Sequence, residues 1–378
     1  MIFSGNGSLT PEKFLQDCWQ EKPLLIRQAF PGFVPELDAD DIAGLACDEL
    51  AESRLVTGSY PEQDWALRYG PFNEQDFASL PETHWTLLVQ DVEKHYPPVH
   101  SLLDEFSFLP SWRIDDLMVS VAGPGGSVGP HTDQYDVFLL QVEGKRRWQI
   151  AATFNPALLQ DCELNVLEYF TSEQEWVLEP GDLLYLPPGV AHHGVALDQC
   201  MTWSVGMRAP STADLLQSLG EWLARNREEG QRYGDSGMLP PERPGEIDAN
   251  AIDRFCRLVG KASNEGSDFR SFLGSFLSSY RLAHEPAPPA EQLDVQALGK
   301  ALERGASIQH HPWTRLAWLQ SEKGAILFAA GEEFPCPADL AEKICSRPVK
   351  ISNDPDQREQ HLELVCELIN LGHLYLQF

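Results

Sequence analysis

The sharpest chemical signal in the chain is His131-Thr132-Asp133, followed far downstream by His192, just past the turn Pro187-Pro188-Gly189. Residues i and i+2 of a strand face the same way, roughly 7 Å apart at the backbone, so His131 and Asp133 converge on one ion. A third ligand then comes from a neighbouring strand, and spacing alone does not separate His192 from the adjoining His193. Two histidines and one carboxylate leave the opposite positions of a metal open, the ligand set of non-haem Fe(II) oxygenases, which admit a cosubstrate and dioxygen together. Structural zinc favours a closed set of four ligands, usually with cysteine, and none of the eight cysteines adjoins these positions, so iron is preferred while zinc and manganese stay open on sequence alone. An isolated H-x-D also arises by chance, and here the strand context gives it weight. His100, His310 and His311 lie outside that context and are expected at the surface or in helices.

An oxygenase of this type that uses 2-oxoglutarate needs a cation deep in its pocket, and arginine offers bidentate geometry to the distal carboxylate. Gly144-Lys145-Arg146-Arg147-Trp148 supplies three cations. Alternation places Arg146 with Trp148 and Ile150 on one face, and Lys145 with Arg147 on the other, so Arg146 is expected to point inward. The competing reading is a solvated strand edge carrying all three. In RIDDLMVS, Asp116, Met118 and Ser120 share one face while Asp115 points the opposite way. Ser120, and more weakly Ser204, can hydrogen-bond the cosubstrate carboxylate, and Asp116 near the mouth can pair with a cationic substrate side chain. The bland alternative leaves Asp115 and Asp116 facing solvent. The glycine-rich VAGPGGSVGP lacks G-K-[ST] and opens no helix, so it reads as a turn delivering His131.

The elements that must position these residues fall into three stretches. From Pro11 to about Phe108, helical spacing of Phe14, Leu15, Cys18 and Trp19 mixes with a short strand at Lys22 to Arg27. From Trp112 to Met207, strand follows strand: RIDDLMVSV, DQYDVFLLQVEG, KRRWQIA, EWVLEPGDLLYLP and MTWSVGM, an antiparallel barrel or sandwich. After Pro210, Ser211 caps a helix carrying Leu215, Leu216, Leu219, Trp222 and Leu223 on one stripe, and Asn250 to His284 holds further helices. That stripe is too long to leave exposed on a monomer, which predicts a homodimer. Glu228 to Pro244 reads as a loop or crossing arm, and AHEPAPPAEQ as a linker. The remainder runs helix (Val295 to Arg304), strands (Thr314 to Gln320, Ala325 to Ala330), helix (Ala338 to Ser346) and a last helix (Gln357 to Leu376), resembling a winged helix.

The 378 residues allow two or three domains, and 43% hydrophobic with 22% charged residues is ordinary for a folded globular protein. A formal charge of -29 argues against phosphate-backbone binding and for a basic partner. Residues 291–378, with 13 acidic and 8 basic side chains, oppose DNA binding by the winged-helix-like end. The polar Met1 to Thr10 does not read as a secretory signal, no apolar run suits a membrane span, and scattered cysteines fit reduced thiols in a cytoplasm.

RIDDLMVS, GPHTDQYDVFLLQ, GKRRW, LEPGDLLYLPPGVAHHG and WSVGMRAP together resemble the bacterial ribosomal oxygenases of the JmjC-type cupin class, the arginine hydroxylases of large-subunit ribosomal protein L sixteen. The resemblance spans the barrel almost continuously and reaches the helical and winged-helix ends. It implies an α+β protein: a double-stranded β-helix over 1–210, a helical dimerisation region over 211–290, and a winged-helix-like domain over 291–378. It implies Fe(II) on His131, Asp133 and His192, 2-oxoglutarate on Arg146 with help from Ser120, and a homodimer through the helices after Pro210. It favours His192, which follows Gly189 by three residues as in the family; the added His193 is a local departure. The implied reaction hydroxylates the β-carbon of an arginyl residue in a basic ribosomal protein. For that reaction the strand alternation predicts that Asp116, on the face it shares with Met118, meets the guanidinium, and that Tyr135, two residues beyond Asp133 on the same face, stacks on its planar end. Alternatives on the same barrel are a histidyl hydroxylase, a lysyl demethylase, or a non-catalytic ribosome-binding cupin.

Overall fold

A computed structural model gives the fold and describes residues 2, 9–62, 64–226, 232–234, 236, 247–264, 266–280, 283–352 and 354–378. Most of the stretch Glu228 to Pro244, read as a loop or arm, lies outside the described residues. The chain forms two compact units, Met1–Ala209 and Pro210–Phe378.

Strands of the first unit are β1 (Leu24–Ile26), β2 (Ser53–Thr57), β3 (Ala66–Tyr69), β4 (Trp85–Val89), β5 (Ile114–Ala122), β6 (His131–Thr132), β7 (Val137–Glu143), β8 (Arg146–Ala151), β9 (Gln174–Leu178), β10 (Leu183–Leu186), β11 (Ala191–Ala196) and β12 (Cys200–Met207). They pair antiparallel in an eight-stranded sheet, β1-β10-β7-β12-β5-β4-β2-β3, and a four-stranded sheet, β6-β11-β8-β9. This is the double-stranded β-helix, and alternation explains its layers. On β5, Leu117, Val119 and Val121 are buried in a core with Phe14, Ile42 and Phe106, while Asp116, Met118 and Ser120 line an internal cavity. Strands β10 and β12 are buried along their whole length because both faces are covered, one by that core and one by the barrel interior.

Two local devices bear on the site. Gly144, with φ +61, closes the β7–β8 turn, where a Cβ would sit 2.2 Å from the Gln199 carbonyl oxygen. The buried Asp136 carboxylate accepts from the Tyr185 hydroxyl (2.6 Å), Gln20 Nε2 (3.0 Å) and Arg113 Nη2 (3.0 Å), which offsets its desolvation and anchors the bend between β6 and β7. That bend is where the predicted strand from Asp133 yields: β7 starts only at Val137.

In the second unit Ser211 and Asp214 form a reciprocal capping box at the helix Thr212–Asn226. Leu219 of that helix packs with Phe272 and Phe276 of the helix Gly266–Ser279, whereas Leu216 is exposed. Beyond the linker come β13 (Ser307–His310), β14 (Leu316–Ser321), β15 (Gly324–Ala329), β16 (Glu332–Cys336) and β17 (Leu374–Gln377), with helices Val295–Glu303, Ala338–Cys345 and Pro355–Asn370. The last helix ends at Asn370, not Leu376: Gly372 takes φ +88 and His373 N–H returns to the Leu368 carbonyl at 2.8 Å, a left-handed cap that releases the chain to pair as β17 with β13. His310 therefore lies buried on a strand, against the helix-or-surface expectation, with Nε2 2.6 Å from the Ile344 carbonyl oxygen.

Candidate metal centre and cosubstrate pocket

The short pairing of β6 with β11 sets His131 directly opposite His192, and Ala191 opposite Thr132. One donor atom from each of His131, Asp133 and His192 lies within 4.8 Å of the others. Each histidine is fixed by its second nitrogen. Nδ1 of His131 is 2.9 Å from the Gly129 carbonyl oxygen and Nδ1 of His192 is 3.0 Å from that of Val190. A carbonyl only accepts, so Nδ1 carries the proton and Nε2 keeps its lone pair for a metal. Burial, and next the neighbouring His131, push His192 down to about 4, which keeps its imidazole neutral. Gly189 N–H bonds the Asp133 carbonyl at 2.8 Å, tying the Pro-Pro-Gly turn to the ligand segment. The donor set suits a divalent first-row metal with open positions on the cavity side.

His193, one residue on, faces away from the cavity. Its ring meets Tyr60 (5.6 Å between centroids) and Phe170 (6.0 Å), and it is absent from the three-residue cluster. Strand alternation thus brings His192, and not His193, beside His131 and Asp133.

A cavity of about 270 Å³ opens beside the cluster. Among its lining residues are His131, Asp133, His192, Ser120, Ser204, Arg146, Trp148, Asp116, Met118 and Tyr135, so every candidate site residue faces one space. Arg146 is 4% exposed, and among the described residues its Nε and Nη2 have no hydrogen-bond partner. Its guanidinium carbon lies 5.8 Å from the Trp148 ring centroid. A buried cation without a counter-charge is costly, and an anionic ligand in the cavity would satisfy it. Lys145, by contrast, is exposed and pairs with Glu179 at 2.6 Å, so the solvated-edge reading holds for it alone. Ser120 Oγ donates to the Thr202 carbonyl at 3.3 Å, and its hydroxyl must turn from that carbonyl to donate to a carboxylate in the cavity.

Asp116 stands at the far side, opposite Gly206 of β12, whose lack of a side chain leaves room for it: a Cβ there would lie 2.9 Å from Asp116 Oδ1. Enclosure by the protein, with the charges of Glu93, Asp91 and Asp115, raises the Asp116 carboxyl well above the usual range. Asp115 turns outward and pairs at 2.9 Å with Arg208, a side chain 1% exposed. Tyr135 lies half-exposed at the cavity rim; burial of its ring, and next Asp133, raise its phenol. Sequence reasoning missed the wall built by Arg54 of β2, Thr86 and Leu88 of β4, and Gln90 just beyond it. The alternation in WTLLVQ carried that signal, but only the pairing of β4 with β5 places it at the cavity.

Fold and site together define a cupin-type non-haem oxygenase centre: a double-stranded β-helix with a two-histidine, one-carboxylate cluster and a buried arginine in one cavity. Residues 101–215 match the family model of the JmjC domain, and 263–375 that of the ROXA-like winged helix. The chain is 32% identical over 372 residues to the ribosomal protein uL16 3-hydroxylase of Escherichia coli (strain K12), covering 96% of this chain and 97% of that protein. It is 42% identical over 219 residues to a probable ribosomal oxygenase of Haemophilus influenzae, 56% of this chain and 53% of that one. The structure of YcfD, a ribosomal oxygenase from Escherichia coli in complex with cobalt and 2-oxoglutarate, matches with a TM-score of 0.84 at 31% identity, covering 98% and 99% of the two chains. This chain belongs to the JmjC-domain ribosomal oxygenases.

Proposed function

We propose that the protein is an Fe(II)- and 2-oxoglutarate-dependent dioxygenase that hydroxylates the β-carbon of an arginyl residue in the large-subunit ribosomal protein uL16. The observation that carries this reading is a single cavity holding the His131–Asp133–His192 cluster, the unpartnered buried guanidinium of Arg146, and the Asp116 carboxyl. His131, Asp133 and His192 hold the metal, which when bound supplies the activation of dioxygen. Arg146, by a charge-assisted pair, and Ser120, with Ser204, by donating their hydroxyls, would bind the cosubstrate's distal carboxylate. Asp116 takes the substrate guanidinium, Met118 packs on its stem and Tyr135 on its planar end, holding the β-carbon over the centre. The balance is one dioxygen and one 2-oxoglutarate consumed, with succinate, carbon dioxide and one hydroxylated arginine formed. The similarity to the uL16 3-hydroxylase of Escherichia coli and to the YcfD complex with 2-oxoglutarate supports this substrate and cosubstrate.

The acidic chain suits a basic ribosomal partner. The partition into barrel (1–210), helical dimerisation region (211–290) and winged-helix-like domain (291–378) is part of the same proposal, as is action in the cytoplasm as a homodimer. Among the described residues no helix is long and apolar enough to cross a membrane. Incubation with Fe(II), 2-oxoglutarate and purified ribosomal proteins tests the reading. It expects succinate formation that depends on uL16 and a uL16 peptide heavier by roughly 16 Da. Succinate release indifferent to every ribosomal protein would refute it.

A further inference from the structure

β4 ends at Val89, and the chain turns at Asp91, with φ 55, into the short helix Val92–His95. Below Val119, β5 therefore has no β4 partner, and the Leu117 N–H on that edge lacks a strand acceptor. Glu93 supplies one: its Oε2 accepts from Leu117 N at 2.9 Å, placing a carboxyl that is 5% exposed beside the residue next to Asp116. Lys94 Nζ lies 3.7 Å from Glu93 Oε1 but is held closely by Asp91. On the other flank Arg208 is committed to Asp115 and to the Trp112 and Ile114 carbonyls. Four carboxyls thus gather behind the cavity with two cations, each cation tied to a carboxylate other than Asp116. The remaining groups around Asp116 are the uncharged Gly206 on β12 and, lining the same cavity, Tyr135, Arg54, Arg146, His131, Asp133 and His192.

Resting on the reading of Asp116 as the guanidinium's partner, we propose that Glu93 is a positioning residue for arginine recognition. Glu93 and Asp116 together retain one proton in the substrate-free enzyme, and docking of the guanidinium on Asp116 releases it. Two like charges recessed from water do not both ionise readily. Burial, the largest cause for each, raises Glu93 to about 7 and Asp116 well above the carboxylate range. The arriving guanidinium keeps its own protons and provides the missing counter-charge, so the displaced proton goes to solvent. The sign follows from linkage: while the pair is protonated, binding must expel a proton, so the KM for an arginyl peptide falls as pH rises through the pair's titration and then levels off.

Calorimetry tests this, with a uL16-derived arginyl peptide titrated into the enzyme loaded with Mn(II) and 2-oxoglutarate in the absence of dioxygen. Two buffers of different ionisation enthalpy count the protons released. The expected count approaches one per peptide on the acid side of neutrality, and zero for the peptide with citrulline in place of arginine. Glu93→Gln keeps an oxygen for the Leu117 N–H but removes the charge. It should move the KM–pH curve to lower pH, each unit lowering KM about tenfold below the midpoint, with kcat moving less than KM. Arginyl-peptide binding without proton release, or an unmoved midpoint in a folded Glu93→Gln enzyme, overturns the inference. If that variant does not fold, the proton count of the unmodified enzyme decides. Failure of the arginyl peptide to bind at any pH would overturn the arginyl-hydroxylase reading as well.

Discussion

Replacing Arg146 by alanine separates the cost of keeping a buried cation from its use. Among the described residues, two of its buried nitrogens have no protein partner. A buried charge that no protein carboxylate neutralises is itself costly, so its removal offsets part of what is lost when the guanidinium no longer stands beside Trp148. The melting temperature without cosubstrate is therefore expected to change little. With 2-oxoglutarate the balance reverses, because a charge-assisted pair to a carboxylate contributes about 1.5–3 kcal/mol. At about 1.4 kcal/mol per factor of ten, Arg146→Ala should raise the 2-oxoglutarate KM by roughly 10- to 150-fold. The upward shift in melting temperature that 2-oxoglutarate gives the metal-loaded enzyme should vanish with it. Lys145→Ala, on the outer face with Glu179, should change neither quantity. Succinate formation against 2-oxoglutarate concentration, paired with thermal unfolding, reads both effects. Equal responses from the two variants, or an unchanged 2-oxoglutarate requirement in Arg146→Ala, would refute the reasoning.

His192→Ala should abolish 2-oxoglutarate turnover and metal retention, whereas His193→Ala, which removes a ring packed against Tyr60 and Phe170, should lower stability and leave most turnover; metal analysis and succinate assay of both variants decide it. Asp116→Ala should suppress peptide hydroxylation while metal and 2-oxoglutarate binding persist, measured by mass spectrometry beside cosubstrate titration. Asp115→Ala should instead act on stability, by up to about 3 kcal/mol, because it strips the buried Arg208 of a carboxylate; denaturant unfolding checks this, and Asp115→Ala is thus no silent control for Asp116→Ala. The helices after Pro210 should give a dimer mass by light scattering at micromolar concentration, and a monomer would contradict that part of the proposal.

The H-x-D pair, the inward Arg146 and the Asp116–Met118–Ser120 face were legible because a strand's period of two is written directly in residue order. His192 was harder: in AHHGVA two adjacent histidines look alike, and only the pairing of β11 with β6 shows which ring meets His131. The same limit hid β11 itself, where histidine, glycine and alanine give a weak strand pattern. Glu93, Arg54 and Gln90 precede the strand-after-strand stretch from Trp112 to Met207. They reach β5 or the cavity through long-range pairing that no local period records. The overextended last helix has a local cause: the apolar periodicity runs on past Gly372, whose positive φ ends it.

The most direct test of the account follows the oxygen atom. The enzyme, Fe(II), 2-oxoglutarate and uL16 are allowed to react under isotopically heavy dioxygen, and the uL16 peptides are fragmented in the mass spectrometer. The account predicts a gain of roughly 18 Da in place of roughly 16 Da, on the β-carbon of one arginyl residue and matched by succinate in equal amount, and a gain of roughly 16 Da when only the water carries heavy oxygen. Heavy oxygen on a histidyl or lysyl residue, or none on uL16 while succinate accumulates, would contradict it.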